Sequence, residues 1–184
     1  MLAPAIKYEE RVNELYKDKV LYNNKYMFWN AAQCWNYELL GGEKDDWDNM
    51  CFVSLSYPKN SKFILLDSKP IINGLFTARL RRNDDYVGSL GMLSFDDKLN
   101  WVFAKDLIKF IDKLWDMGMR KINFNCVVGN PILSSYYKIM NSKDNIEYIG
   151  TDHASVKLID GTYYDLALFE IWNPNISMKR LYNK

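Results

Sequence analysis

The hydrophobic pattern changes its period twice in the second half of the chain, and this change constrains the fold more than any other feature. Residues 86–95 alternate between apolar and polar, residues 101–117 carry an apolar face at helical spacing, and residues 122–128 alternate again. A strand, a helix of this length and a returning strand form a crossover unit, which makes the two strands parallel. The sequence therefore predicts adjacent parallel strands at 87–95 and 121–128, joined by the helix at 101–117.

The same helix has a predicted buried face and a predicted solvent face. The charged residues between its apolar positions are expected to face water: Lys105, Asp106, Lys109, Asp112 and Lys113. The expected core positions are Leu107, Ile108, Ile111 and Leu114, together with Phe124 on the following strand.

Helices are predicted in residues 1–42, where Pro4 suits a first helical turn and Gly41-Gly42 ends a second helix at 26–40. The strands that follow have short connections, so an antiparallel meander is expected. Its strands lie at 51–57, 63–66, 71–80 and 86–95. The sheet and helix core extends over 51–172, residues 173–184 form a tail, and we expect one domain over 1–184.

A helix at 131–140 and a closing hairpin complete the predicted order. Pro131 suits the first helical turn and Asn130 its cap. The hairpin pairs residues 146–159 with 163–172 around Asp160-Gly161, a favourable turn. The fold class is α/β with a mixed sheet, mostly antiparallel, containing one central parallel pair and flanked by helices.

Composition excludes several classes of protein. The net charge of +1 provides no field for nucleic acid, no apolar stretch has the length of a membrane span, and residues 1–10 do not resemble a signal peptide. A cytoplasmic location is expected by default. The three cysteines are widely spaced and there is one histidine, His153, so neither a disulfide framework nor a multi-histidine metal site is expected. His153 is interpreted as a solvated or hydrogen-bonded residue in a turn.

The order of elements and several short motifs resemble the GNAT superfamily of N-acetyltransferases over residues 63–171. The motifs are Ile71-Ile72-Asn73-Gly74, the run from Asn130 through Tyr137 to Lys138, and Asp160-Gly161-Thr162-Tyr163-Tyr164-Asp165. The resemblance implies an acyl-CoA N-acyltransferase fold. It also implies that the fourth and fifth strands of the family's sheet diverge, so that the pantetheine arm of acetyl-CoA lies between them.

Site residues follow from that resemblance. Tyr137 occupies the position of the family's tyrosine, which protonates the departing thiolate, and its neighbour Tyr136 would point about 100° away on a helix. The expected contacts with acetyl-CoA are at Leu93, Ser94, Phe95, Lys98 and Asn130, although Asn130 also suits a helix cap. No metal is implied.

The loop after the fourth strand departs from the family pattern. Active members have a glycine-rich loop there, whose backbone amides approach the pyrophosphate. Residues 94–104 contain no glycine, and Asp96 and Asp97 stand where an anion should bind. Asn100 can cap the following helix.

Three functional hypotheses follow. The first is a divergent N-acyltransferase that moves an acetyl group from acetyl-CoA to an amine, attracted by acidic residues at Glu38, Glu43, Asp45, Asp46 and Asp48. The second is a non-catalytic module of the same fold that binds a protein, for example in a phage virion or at a host target. The third, nucleic-acid binding through Arg79, Arg81 and Arg82, is the weakest because the chain is nearly neutral.

Overall fold

The computed structural model describes residues 1–21, 26, 48–57, 69–96 and 100–176, with the backbone alone at 19–21. Its strands are β1 (Leu2–Pro4), β2 (Asp48–Ser56), β3 (Ile71–Arg81), β4 (Tyr86–Ser94), β5 (Lys121–Val127), β6 (Ile146–Lys157) and β7 (Tyr163–Trp172). Its α-helices are α1 (Glu9–Leu15), α2 (Trp101–Asp116) and α3 (Leu133–Ser142). In the part of the chain so described, no helix is long and apolar enough to cross a membrane.

The strands form one mixed sheet in the order β1–β2–β3–β4–β5–β7–β6. β4 and β5 are parallel and α2 connects them, as the change of period predicts. Every other neighbouring pair is antiparallel, which confirms the meander of β2, β3 and β4 and the closing hairpin of β6 and β7. The predicted α/β fold class with one central parallel pair is confirmed.

The N-terminal segment differs from its prediction. Leu2–Pro4 forms the edge strand β1, paired with β2, and a 3₁₀ turn at Ala5–Tyr8 leads into α1. Pro4 is therefore the last residue of a strand and not part of a helical first turn; proline is tolerated on an edge because an outward-facing position needs no amide donor. The helix predicted at 26–40 and the strand predicted at 63–66 lie outside the described residues.

Helices cover both faces of the sheet. On one face, Val12 and Tyr16 pack against Val53, Leu55 and Leu75 of β2 and β3. On the other face, α2 and α3 cover a larger cluster in which aromatic rings meet. Phe110 of α2 lies 5.6 Å from Phe76 of β3, and Phe124 of β5 lies 4.9 Å from Phe169 of β7, between ring centroids.

The predicted core face of α2 is partly wrong. Leu114 and Phe124 are buried, and Leu107 and Ile111 pack against the core from its edge. Ile108, however, is 61% exposed, whereas Phe110 is fully buried. Because positions 103, 107, 110 and 114 recur at three and four residues, the buried stripe passes through Phe110 and leaves Ile108 on the outer side.

Asp106 was placed on the solvent face and is instead buried, with 1% exposure. Its carboxylate lies 2.6 Å from the α-amino group of Met1, accepts a hydrogen bond from Ser54 Oγ at 2.9 Å, and lies 3.3 Å from Lys109 Nζ. Burial by itself would raise the pKa of Asp106, but these hydrogen bonds and the charge of the amino group hold it below its ordinary value. The carboxylate thereby joins α2 to β1 and β2.

Truncation of Phe110 tests the revised core. Phe110→Ala should lower the free energy of unfolding by about 3–5 kcal/mol because it leaves a cavity among packed rings. Ile108→Ala, two residues away on the exposed side, should change it by less than about 0.5 kcal/mol. Urea denaturation of both variants measures the difference, and equal losses would contradict the orientation of α2.

The charge of Asp106 should make stability depend on pH. At neutral pH, Asp106→Asn should lose about 1–3 kcal/mol because a buried, charge-assisted hydrogen-bond network is weakened. Since the folded carboxyl has a lowered pKa, its stabilisation is complete above the pKa of an unfolded aspartate, about 4, and disappears as pH falls through the lower folded value.

Denaturation at several pH values should therefore show a difference between wild type and Asp106→Asn that is constant above about pH 5 and shrinks in acid. Asp112→Asn, an exposed site on the same helix, is the matched control. A difference that grows on acidification would refute the ionised state of Asp106.

Candidate active site

β4 and β5 pair only where they begin. The register joins Tyr86 to Lys121 and Val87 to Ile122, and the two strands have no further pairs, although β4 continues to Ser94 and β5 to Val127. Each strand is paired along most of its length on its other side, β4 with β3 and β5 with β7. The strands therefore diverge, and their facing backbone groups are left to bind something other than each other.

The closed end of this gap is fixed by side chains. Lys121 forms an ion pair with Glu170 of β7. Its ammonium group also lies 5.6 Å from the ring centroid of Tyr86 on β4 and 5.4 Å from that of Trp172 on β7. One half-buried cation thus contacts both neighbouring strands where β4 and β5 meet.

Asn123 lies at the point where the gap opens, one residue beyond the last pair on β5. Its carboxamide oxygen is buried and accepts no hydrogen bond from any residue that the structure describes. A buried acceptor of this kind is costly unless a donor reaches it.

α3 lies over β5 and β7 and carries both tyrosines onto the sheet. The Tyr136 ring contacts Phe124 and Phe169, at centroid distances of 5.3 and 6.0 Å. The Tyr137 ring lies 5.6 Å from Phe169 and 5.7 Å from Tyr148 of β6. Both rings therefore reach the aromatic surface around Phe169, and which of them faces the gap between β4 and β5 stays a prediction.

The two phenols differ in environment, and both are protonated at neutral pH. Burial raises the pKa of Tyr136 to about 12, with a smaller effect from Cys126. Burial also raises the pKa of Tyr137, followed by effects of the neighbouring Tyr148 and Cys126. A phenol that keeps its proton can donate it, so either ring can serve as an acid.

Cys126 of β5 belongs to the same cluster. Its side chain is 6% exposed, and burial raises the pKa of its thiol to about 11. Since the thiolate is the nucleophilic form, burial disfavours the reactive state of this cysteine at neutral pH.

Asn130 acts on the turn before α3. Its side-chain oxygen accepts a hydrogen bond from the Ile132 amide at 3.2 Å, and its carbonyl accepts one from Leu133. The predicted helix cap at Asn130 is therefore wrong: α3 begins at Leu133, two residues later than expected, its cap position is Ile132, and Asn130 stabilises the turn before it. Its contact with a cofactor stays a prediction.

The remaining residues expected to contact acetyl-CoA are spread over two environments. Phe95 is buried and Leu93 is partly buried, both against the α1 side of the sheet, so they could contact a ligand mainly through their backbone. Ser94 is exposed, and its hydroxyl is bonded to the backbone of Asp96. Lys98 and Asp97 lie outside the described residues.

The beginning of α2, which follows this turn, is capped by its own chain. The Asn100 side-chain oxygen accepts hydrogen bonds from the amides of Val102 and Phe103 at 2.9 and 3.2 Å, as predicted for a cap. The Ala104 amide donates to the Asn100 carbonyl at 3.0 Å. These amides are the groups that would otherwise be available to an anion.

Three of the charged residues singled out in the sequence form ion pairs in the part of the chain that the structure describes. Asp48 binds Arg82, and Arg81 lies 2.9 Å from Asp84. Asp48 is therefore not a free acidic group, and two of the three candidate nucleic-acid arginines are neutralised. The acidic residues at 38, 43, 45 and 46 lie outside the described residues.

His153 lies within β6 and not in a turn before it. The strand has a bulge between Asp152 and Val156, where Ala154 takes a positive φ of 48°. Asp165 of β7 accepts a hydrogen bond from the Ala154 amide at 2.8 Å and lies 2.9 Å from His153 Nδ1. The hydrogen bond from the Ala154 amide, which has the larger effect, and the contact with His153 hold the pKa of Asp165 below its usual range. In the sequence, only the presence of a single histidine could have drawn attention to the His153–Asp165 pair. The bulge that forms it does not show in the alternation of apolar and polar residues.

No protein-family model matches the sequence, and no characterised protein matches it by sequence. Solved structures do match it in fold. The ribosomal-protein-alanine N-acetyltransferase of Brucella melitensis has 12% identity over 94% of this chain and 99% of its own, with a TM-score of 0.61.

Two further matches are similar. A microcin self-immunity acetyltransferase, MccE, in complex with acetyl-CoA and AMP has 14% identity over 92% of this chain and 89% of its own, with a TM-score of 0.59. A variant of the spermidine N-acetyltransferase SpeG of Vibrio cholerae has 16% identity over 88% and 90%, with a TM-score of 0.55. The chain thus has the fold of the GNAT N-acetyltransferases, as its motifs indicate. These identities are too low to carry an activity with the fold.

The state of Cys126 gives a prediction for any acyl transfer at this site. With its thiol protonated, Cys126 should not form an acyl-enzyme. Intact-mass spectrometry after incubation with acetyl-CoA should show no added acetyl group on this residue. Cys126→Ala should keep turnover within about threefold, and a loss of a hundredfold or more would indicate a covalent role.

Proposed function

We propose that this protein is an N-acyltransferase that moves an acetyl group from a pantetheine thioester to an amine. The observation that carries the proposal is the divergence of β4 and β5 after two residue pairs. The helix α3, which carries Tyr137, packs on the neighbouring strands, where the Tyr137 ring contacts Phe169 of β7. Solved N-acetyltransferases with the same fold support it, and one of them holds acetyl-CoA.

The residues of the gap fit the pantetheine arm. The arm is extended and carries amide groups, so it can bond to the facing strand edges as an added strand would. The thioester supplies an activated carbonyl carbon when it is bound.

Tyr137 has the chemical role of an acid in this proposal. The amine nitrogen attacks the carbonyl carbon, the carbon–sulfur bond breaks, and the departing sulfur takes the phenolic proton of Tyr137. The amine releases one proton to solvent, and solvent returns one to Tyr137, so the net products are an amide and a thiol. The raised pKa of Tyr137 keeps the phenol protonated over the whole neutral range.

The acceptor is an amine. Spermidine and an alanine of a ribosomal protein are the acceptors named for two proteins of the same fold, and they are the first probes for this one. Acetyl-CoA as the donor agrees with the cytoplasmic location that the sequence predicts.

Replacement of the two tyrosines tests the role. Tyr137→Phe should lower turnover on the order of a hundredfold, with donor affinity nearly unchanged, because only the proton is removed. Tyr136→Phe keeps the packed ring and should keep turnover. Thiol release with acetyl-CoA and either amine measures turnover, and calorimetry measures affinity. A larger loss in Tyr136→Phe would assign the role of acid to Tyr136. Wild-type turnover in both variants would exclude catalysis by either phenol.

A second candidate function is a non-catalytic module of the same fold that binds a protein partner, in a virion or at a host target. The occupied amides at the start of α2 favour it, because they are where the family pattern places the pyrophosphate. Failure of both acetyl-CoA and S-acetylpantetheine to bind at millimolar concentration, without any thermal shift, would select this function.

A further inference from the structure

The start of α2 does not fit the pyrophosphate of coenzyme A, while the gap between β4 and β5 fits the pantetheine arm. An anion at a helix N-terminus needs unoccupied amides that point toward it. Here three consecutive amides, of Val102, Phe103 and Ala104, already donate to Asn100. A pyrophosphate would have to displace a side chain that forms two of these bonds.

That cap is held in place by a buried network. The Asn100 side-chain nitrogen donates to Asn73 Oδ1 at 3.0 Å, and Asn73 is 6% exposed on β3. Asn73 in turn donates to the Ser54 carbonyl at 3.3 Å and accepts from Ser56 Oγ at 3.2 Å. Rotation of Asn100 away from the helix would therefore break contacts that reach β2 and β3, and leave a buried carboxamide oxygen with fewer donors.

The negative charge of Asp96 and the absence of glycine at the start of α2 also disfavour anion binding there. The Asp96 carboxylate lies 3.4 Å from the Asn100 side-chain nitrogen, and Asp96 is exposed beside the helix start. The sequence contains no glycine from Met92 to Met117, so no residue there gives the close backbone approach that glycine allows. The gap is formed by strand backbones and does not depend on this helix end.

We propose that the protein recognises its acyl donor by the pantetheine arm and thioester, with no contribution from the pyrophosphate. The donor class is an acylated pantetheine, and the nucleotide of coenzyme A is not a determinant. This inference rests on the proposed function, because it assumes that the gap holds a donor. Specificity would then lie along the facing edges of β4 and β5, and not at the beginning of α2.

The test compares donors on the wild-type protein. Calorimetry at low ionic strength should give dissociation constants for acetyl-CoA and S-acetylpantetheine within about threefold, and 3′,5′-ADP should not compete with either. Binding of acetyl-CoA that is ten or more times tighter, or competition by 3′,5′-ADP, would overturn the inference and leave the proposed function intact. If neither donor binds, the proposed function fails, and the inference fails with it.

Variants of Asn100, the cap of α2, provide a second and independent test of the inference. Asn100→Gly frees the amides of Val102 and Phe103, and glycine is tolerated at a helix cap. It should tighten acetyl-CoA several-fold relative to S-acetylpantetheine, and salt should weaken that gain. Asn83→Gly, at an exposed turn between β3 and β4, is the matched control and should keep the wild-type ratio.

Asn100→Ser keeps a capping side chain, so it should also keep the wild-type ratio of the two dissociation constants. Weaker relative binding of acetyl-CoA to Asn100→Gly would show that Asn100 contributes to pyrophosphate binding, and would overturn the inference. Circular dichroism checks that the variants are folded. If a variant does not fold, the comparison of donors on the wild-type protein still tests the inference.

Discussion

The arrangement of the site depends on how β4 and β5 are held at one end only. Two residue pairs and the contacts of Lys121 with Glu170, Tyr86 and Trp172 fix the closed end. Beyond it, β4 stays paired with β3 and β5 with β7, while β4 and β5 no longer pair with each other. The backbone groups on their facing edges are therefore open to another partner.

The fold could be read from the sequence because its signals are local. The change of period at 86–128 gave the parallel pair, and Asp160-Gly161 gave the hairpin. Predictions failed at two positions of α2 for different reasons. Asp106 is charged and was expected to face solvent, but Met1 and Ser54, which are distant in the sequence, bind it in the fold. Ile108 was expected in the core, but the buried stripe passes through Phe110, two residues away on the same helix.

The resemblance predicted the diverging strands of the candidate site, although alternation alone could not show where their pairing stops. It also predicted Tyr137 as the acid, which stays a prediction; the structure brings both Tyr136 and Tyr137 to Phe169. Asn100 was expected to cap α2, and it does, but only the coordinates show that Asn73 holds the cap from β3. The pairing of His153 with Asp165 depends on a bulge in β6, and the residue pattern does not predict that bulge.

The two outer strands of the sheet have a consequence for association between molecules. β1 has three residues and ends in Pro4, and β6 has register breaks between Tyr148 and Gly150 and between Asp152 and Val156. A foreign strand needs a long, regular row of donors and acceptors to add to a sheet. Along the described edges, proline and bulges interrupt that row, so this sheet is a poor template for intermolecular β-sheet extension and for the aggregation that follows from it.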